Sequence, residues 1–172
     1  AIHFYLLAAN KNFPVAQNKL GIIYSESKYI QSDLNKAIHY CSLAANQNIL
    51  DALVNLGHIY YKKRDIKNSI KCFTHAANQN EQVTQLILGN IYKKGEIVKP
   101  DIKQSINHYE MAAKQNNLHA LYHLGMIYYD NKYIKSDINK AIEYFTLAAK
   151  QKDSSAQFFL GQIYFKEKDI PH

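Results

Sequence analysis

The pattern Leu-Gly-x-Ile-Tyr occurs five times in this chain, at residues 20–24, 56–60, 88–92, 124–128 and 160–164. Its glycines, Gly21, Gly57, Gly89, Gly125 and Gly161, follow one another at 36, 32, 36 and 36 residues, a period that belongs to stacked helical pairs. A second pattern keeps step with it. Ala8-Ala9, Ala44-Ala45, Ala76-Ala77, Ala112-Ala113 and Ala148-Ala149 each end 12 residues before the next glycine. In such an array every unit buries its apolar face against its neighbours, so function is sought on a surface.

The periodicity predicts an all-α fold, a solenoid of stacked antiparallel helix pairs with about 36 residues per repeat. The expected organisation is one array over residues 1–172: a partial unit 1–12, units at about 13–48, 49–80, 81–116 and 117–152, and a partial unit 153–172. Both ends cut a repeat, which predicts a piece of a longer protein. Within each unit we name the helix carrying the glycine helix A and the one carrying Ala-Ala helix B. Ala52, Leu56, Ile59 and Tyr60 share one side of a 3.6-residue helix and form the inner face of helix A. Glycine inside a helix is unfavourable by about 1 kcal/mol relative to alanine, so its recurrence predicts a close approach, most simply by the backbone of helix B along its Ala-Ala surface.

Asp33, Asp65, Asp101, Asp137 and Asp169 precede the B helices and predict N-terminal caps. Asn12, Asn48, Asn80 and Asn116, three residues after Ala-Ala, suit a left-handed stop, and Lys152 takes the fifth such place. At the ends of the A helices the equivalent residues are Ser27, Gly95 and Asn131. The second unit is four residues shorter, all between its two helices, so only one edge loop is expected to change.

These residues resemble the Sel-one-like repeat (SLR) family, relatives of the tetratricopeptide repeats. The fourth unit carries the family pattern as Leu124-Gly125-Met126-Ile127-Tyr128, Tyr133-Ile134, Asp137, Lys140-Ala141, Tyr144-Phe145 and Ala148-Ala149, and the third carries the loop Gly95-Glu96-Ile97-Val98. The short second unit is more similar to a tetratricopeptide repeat. The resemblance implies a right-handed α-α superhelix and an adaptor that holds protein partners.

Composition and motifs narrow the alternatives. The net charge is +7, with much of the lysine near helix C-termini, where cations complement the dipole. No apolar run approaches the roughly 18 residues of a membrane span. P-loop, dinucleotide, nucleophile-elbow and zincin motifs are absent from the sequence. Cys41 and Cys72 stand alone at aromatic-type slots of two B helices, which predicts reduced, buried thiols and, with them, a reducing compartment such as the cytoplasm. His119 and His123 share a helix face but make two ligands at most, below the number a zinc site needs, so neither metal nor cofactor is expected.

The expected function is a non-enzymatic protein-interaction scaffold. It binds a peptide or partner segment, acidic in character, in the concave groove lined by the A helices. Its contacts are the stripe next to the inner face: Asp51, Asn55, His58 and Lys62; Ile87, Asn90 and Lys94; His119, His123 and Met126. These slots change identity from unit to unit while the core slots do not, and in tetratricopeptide repeats the ligand-contacting positions fall in this stripe. The alternatives are an RNA-binding helical array, disfavoured by the Leu-Gly-x-Ile-Tyr and Ala-Ala patterns, and a metal-dependent or hydrolytic module.

Overall fold

The structure, a computed structural model, describes residues 2–26, 31–95 and 98–168; the expected Ser27 stop, the Asp169 cap and the Glu96-Ile97 loop fall outside them. The described residues form ten helices and no strand: α1 (Ile2–Asn10), α2 (Pro14–Ser25), α3 (Leu34–Ala45), α4 (Leu50–Lys62), α5 (Ile66–Asn78), α6 (Gln82–Lys94), α7 (Ile102–Ala113), α8 (Leu118–Tyr129), α9 (Ile138–Lys150) and α10 (Ser154–Lys168). The chain divides into two compact units, Ala1–Thr84 and Gln85–His172. In the first, α2 packs on α3, α3 on α4 and α4 on α5; in the second, α7 packs on α8, α8 on α9 and α9 on α10.

Local chemistry explains why helices start and stop where they do. The carboxylate of Asp33 accepts from the Asn35 and Lys36 amides, that of Asp65 from Asn68, that of Asp101 from Gln104 and that of Asp137 from Lys140. Amide donation holds Asp33 and Asp101 below the usual carboxylate range, and at Asp65 the Asn68 side chain contributes most. Asp137→Ala is expected to destabilise the chain by about 1 kcal/mol, read as a lower denaturation midpoint in urea, while Asp137→Asn changes it little.

All five Ala-Ala pairs end in the same turn. The residue after the stop donates to the first alanine carbonyl and the stop residue to the second: Phe13 N to Ala8 O (3.1 Å) with Asn12 N to Ala9 O (2.9 Å), repeated through Asp153 N to Ala148 O (3.3 Å) with Lys152 N to Ala149 O (2.9 Å). This is the two-bond C-terminal cap that needs a left-handed residue, and φ is +60° to +68° at Asn12, Asn48, Asn80, Asn116 and Lys152. Asn131 does not take that conformation. It instead accepts the Ser136 amide on its side-chain oxygen at 2.8 Å, while Asp130, the C-cap of α8, is extended.

The shortened second unit reuses one hydrogen bond. In every unit the amide of the capping aspartate donates to the motif tyrosine carbonyl: Asp33 to Tyr24, Asp65 to Tyr60, Asp101 to Tyr92 and Asp137 to Tyr128, at 2.8 to 3.0 Å. Both loop lengths therefore end at the same place. The short one turns through Arg64 at φ +65°, with Arg64 N on Tyr61 O at 3.0 Å.

The motif glycines are small for a reason other than an alanine surface. A Cβ built on Gly57, Gly89 or Gly125 would lie 2.5 to 2.6 Å from a ring of helix B, respectively Phe73, Tyr109 and Phe145. These three rings are among the most deeply buried side chains of the molecule. At Gly21, where the ring slot holds Cys41, the added carbon would meet Cys41 Sγ first and then backbone, with Cys41 N and Ala37 O at 3.1 and 3.2 Å. The expected backbone approach thus holds in one unit, and an aromatic ring replaces it in three. Buried Ser69 and Ser105 also tie the helices, donating to the carbonyls of Gly57 and Gly89 at 2.9 and 2.8 Å.

Candidate interaction surface

Within each compact unit, neighbouring A helices meet along the stripe beside the inner face. In the first unit the Asn55 amide donates to Asn18 Oδ1 at 3.1 Å, and the Lys62 ammonium donates to the Ser25 carbonyl. His58 lies edge-on to Phe73 at 5.0 Å. Asp51, His58 and Lys62 are exposed, and Asn55 is half-buried. Asn55 and Lys62 thus bind the preceding repeat as well as bordering solvent.

The second unit gathers more chemistry. Tyr109, enclosed against Gly89, donates its hydroxyl to Asn90 Oδ1 at 2.8 Å. His123 covers its ring at 5.1 Å, and the Lys93 ammonium stands 5.7 Å from the ring centre. Lys93 Nζ is 3.3 Å from His123 Nδ1. An ammonium can only donate, so Nδ1 accepts and the imidazole proton sits on Nε2. Burial pushes His123 down to about 4, with the Lys93 and His119 charges adding to the shift. Lys93 is also pushed down, by burial first and then by Lys94 and Lys132. No carboxylate among the described residues lies within ion-pair reach of Lys93.

Around this group, Lys94 and His119 are exposed, and Ile87, Asn90 and Met126 are half-buried. Met126 also lines an open cleft of about 650 Å³ with Tyr129, Asp130, Ile163 and Lys166. The sequence reading missed Lys93 and Tyr109. Lys93 is three residues past Asn90, on the same helix face, and the place it occupies after each glycine holds Ser25, Tyr61, Lys93, Tyr129 and Phe165. That variation marks a position outside the core.

Among the described residues no group of three or more His, Cys, Asp or Glu side chains is placed to hold a metal ion, and no helix is long and apolar enough to cross a membrane. Cys41 and Cys72 are free and buried, and burial pushes the Cys41 thiol up to about 12. The geometry is that of an α-helical repeat protein whose variable side chains lie beside an invariant packing scheme.

Family models agree with this class. The Sel1 repeat matches residues 1–13, 14–49, 83–117, 118–153 and 154–172, and the tetratricopeptide repeat matches the short unit, 50–82. The chain therefore belongs to the Sel1 repeat family. No curated protein matches it. Among solved structures it is similar to c5321, a protective antigen of uropathogenic Escherichia coli strains displaying an SLR fold, with 25% identity and a TM-score of 0.76 over 96% of this chain and 36% of that one. It is also similar to a Sel1 repeat protein from Oxalobacter formigenes, with 28% identity and a TM-score of 0.71 over 95% of this chain and 75% of that one. Helicobacter pylori cysteine rich protein B shares the fold at 22% identity and a TM-score of 0.57, over 78% of this chain and 99% of that one.

Proposed function

We propose that the chain is a non-enzymatic interaction scaffold whose A-helix stripe binds an acidic polypeptide segment. The Sel1 repeats support a protein-interaction role in general. The observation that carries the acidic preference is the half-buried Lys93 ammonium, which rests on a neutral imidazole and a phenol ring with Lys94 and Lys132 nearby. A desolvated cation of this kind gains from an incoming carboxylate through a charge-assisted hydrogen bond. Asn90 and Lys94 flank it on α6, and His123 meets it from α8, the helix that also carries His119 and Met126. In the first unit, Asp51, Asn55, His58 and Lys62 form the corresponding stripe, where the lysine serves a carboxylate and the amide serves a peptide backbone.

The test uses an acetylated acidic hexapeptide and its lysine counterpart, titrated into the isotope-labelled chain. Resonances of Asn90, His119, His123 and Met126 are expected to shift with the acidic peptide alone. Lys94→Glu or Lys93→Glu is expected to weaken binding about tenfold or more, whereas Lys103→Glu on the B helix α7 leaves it unchanged. Loss of binding confined to Lys103→Glu would place the surface on the B helices. Single-stranded RNA that binds more tightly, with affinity falling steeply as salt rises, would establish the nucleic-acid reading instead.

A further inference from the structure

Seven residues after the capping aspartate, three of the B helices carry in the same slot a ring that lies flat on the motif tyrosine of its own unit. Tyr40 stacks on Tyr24 at 5.7 Å and 6°, His108 on Tyr92 at 5.7 Å and 3°, and Tyr144 on Tyr128 at 5.8 Å and 8°. In the second repeat the slot holds Cys72. A thiol cannot cover a phenol face. Beside Tyr60 lies an open-sided cavity of about 280 Å³ between α3, α4 and α5, lined by Leu53, Leu56, Tyr60 and Cys72 together with polar side chains that include Asn68, Lys71 and His75, the last two exposed.

We propose that this cavity is a docking site for an aromatic side chain of a protein partner, which stacks on Tyr60 as the slot rings stack in the other three repeats. The occupant is specified by the molecule itself, since three sister units show which group completes this packing. The size agrees, because a cavity of about 150 Å³ already accepts benzene, and the mixed polar and apolar lining suits a phenol ring with its hydroxyl. No carboxylate lines the cavity, and the Lys71 ammonium favours an acidic residue next to the ring. The site lies wholly within the Ala1–Thr84 unit, on the B-helix side of α4. Its walls share no residue with the Asp51, Asn55, His58 and Lys62 stripe, so it stands or falls separately from the function proposed above.

The probe is p-cresol, the tyrosine side-chain analogue, titrated into the labelled 172-residue chain, with isobutanol as an apolar control lacking a ring. Saturable shifts at Leu53, Leu56 and Tyr60 are expected with p-cresol in the wild type and Cys72→Ala, and not with isobutanol. Cys72→Phe is expected to supply the missing ring, raise the melting temperature and weaken p-cresol binding by tenfold or more. A second readout needs no variant: p-cresol is expected to slow alkylation of Cys72 by iodoacetamide several-fold. Acetyl-Glu-Tyr-Glu-amide is expected to bind more tightly than acetyl-Lys-Tyr-Lys-amide, and Lys71→Glu to reverse that order. Equal binding of p-cresol and isobutanol, unchanged binding in Cys72→Phe, or unaltered Cys72 alkylation would overturn the proposal. Self-association that Cys72→Phe abolishes would assign the ring to a second copy and overturn the partner assignment.

Discussion

Phe145→Ala is expected to lower the unfolding free energy of the chain by about 3–5 kcal/mol, the range for removing a buried ring and leaving a cavity. Gly125→Ala acts on the same contact from the other side. Its new Cβ would lie 2.6 Å from the Phe145 ring, so overpacking of about 1–3 kcal/mol exceeds the roughly 1 kcal/mol gained in helix propensity. Gly161→Ala, in the same motif, should have the opposite sign. Among the described residues a Cβ there has nothing within 4 Å, so only the propensity gain of about 0.5–1 kcal/mol remains. The checks are urea unfolding of each variant and of the double variant Gly125→Ala with Phe145→Leu, whose smaller side chain should relieve the clash and make the pair non-additive. If Gly125→Ala stabilises the chain as Gly161→Ala does, the ring is not what demands the glycine.

That contrast separates what the sequence could and could not express. The glycine recurs because something must come close, and its period, the aspartate starts and the asparagine stops all follow from local rules of backbone geometry. Those rules place the helices within a residue or two. What comes close is a tertiary fact. Small opposite small was the simplest reading of Gly-x-Ile-Tyr against Ala-Ala, yet the contact is made by the ring slot of helix B, while the Ala-Ala carbonyls serve the terminal turn. Asn131 shows the same limit at a turn, since asparagine suits both a left-handed residue and a side-chain acceptor, and only the loop around it selects one.

The interaction stripe was legible as a face but not as a network. Spacing puts Asn55, His58 and Lys62 side by side on one helix, and variation from unit to unit marks them as outside the core. It does not show that Asn55 reaches Asn18 in the preceding repeat or that Lys93 reaches His123 in the next. Such bonds span 37 and 30 residues and depend on how far one helix stands from another. Cys72 was legible as an exception in an aromatic slot, whereas the cavity it leaves beside Tyr60 required the neighbouring helices.

Acidification from about pH 7 to about pH 5 is expected to destabilise the chain through its histidines. Burial is the first cause that lowers His108 and His123, and at His123 the Lys93 charge adds to it. In the unfolded chain an imidazole titrates near 6.5, while folded His123 titrates at about 4. Between those values the unfolded state binds more protons, so stability rises with pH. The contribution is complete above the unfolded value and is lost as pH falls towards the folded one. His108 works in the same direction, with its buried Nδ1 lacking a protein hydrogen-bond partner. Asp33, Asp65 and Asp101, held below the usual carboxylate range by the hydrogen bonds they accept, lose their contribution only in a more acidic window. Melting temperatures across this range should therefore fall in the wild type and fall less steeply in His123→Gln, which keeps an acceptor for Lys93 and cannot titrate. Equal slopes in the two proteins would remove His123 from the account. The same experiment with the acidic hexapeptide bound joins stability to function: a carboxylate at Lys93 offsets the lysine's charge and favours the imidazolium, raising His123 towards its ordinary value, so the bound complex should lose less stability to acid than the free chain.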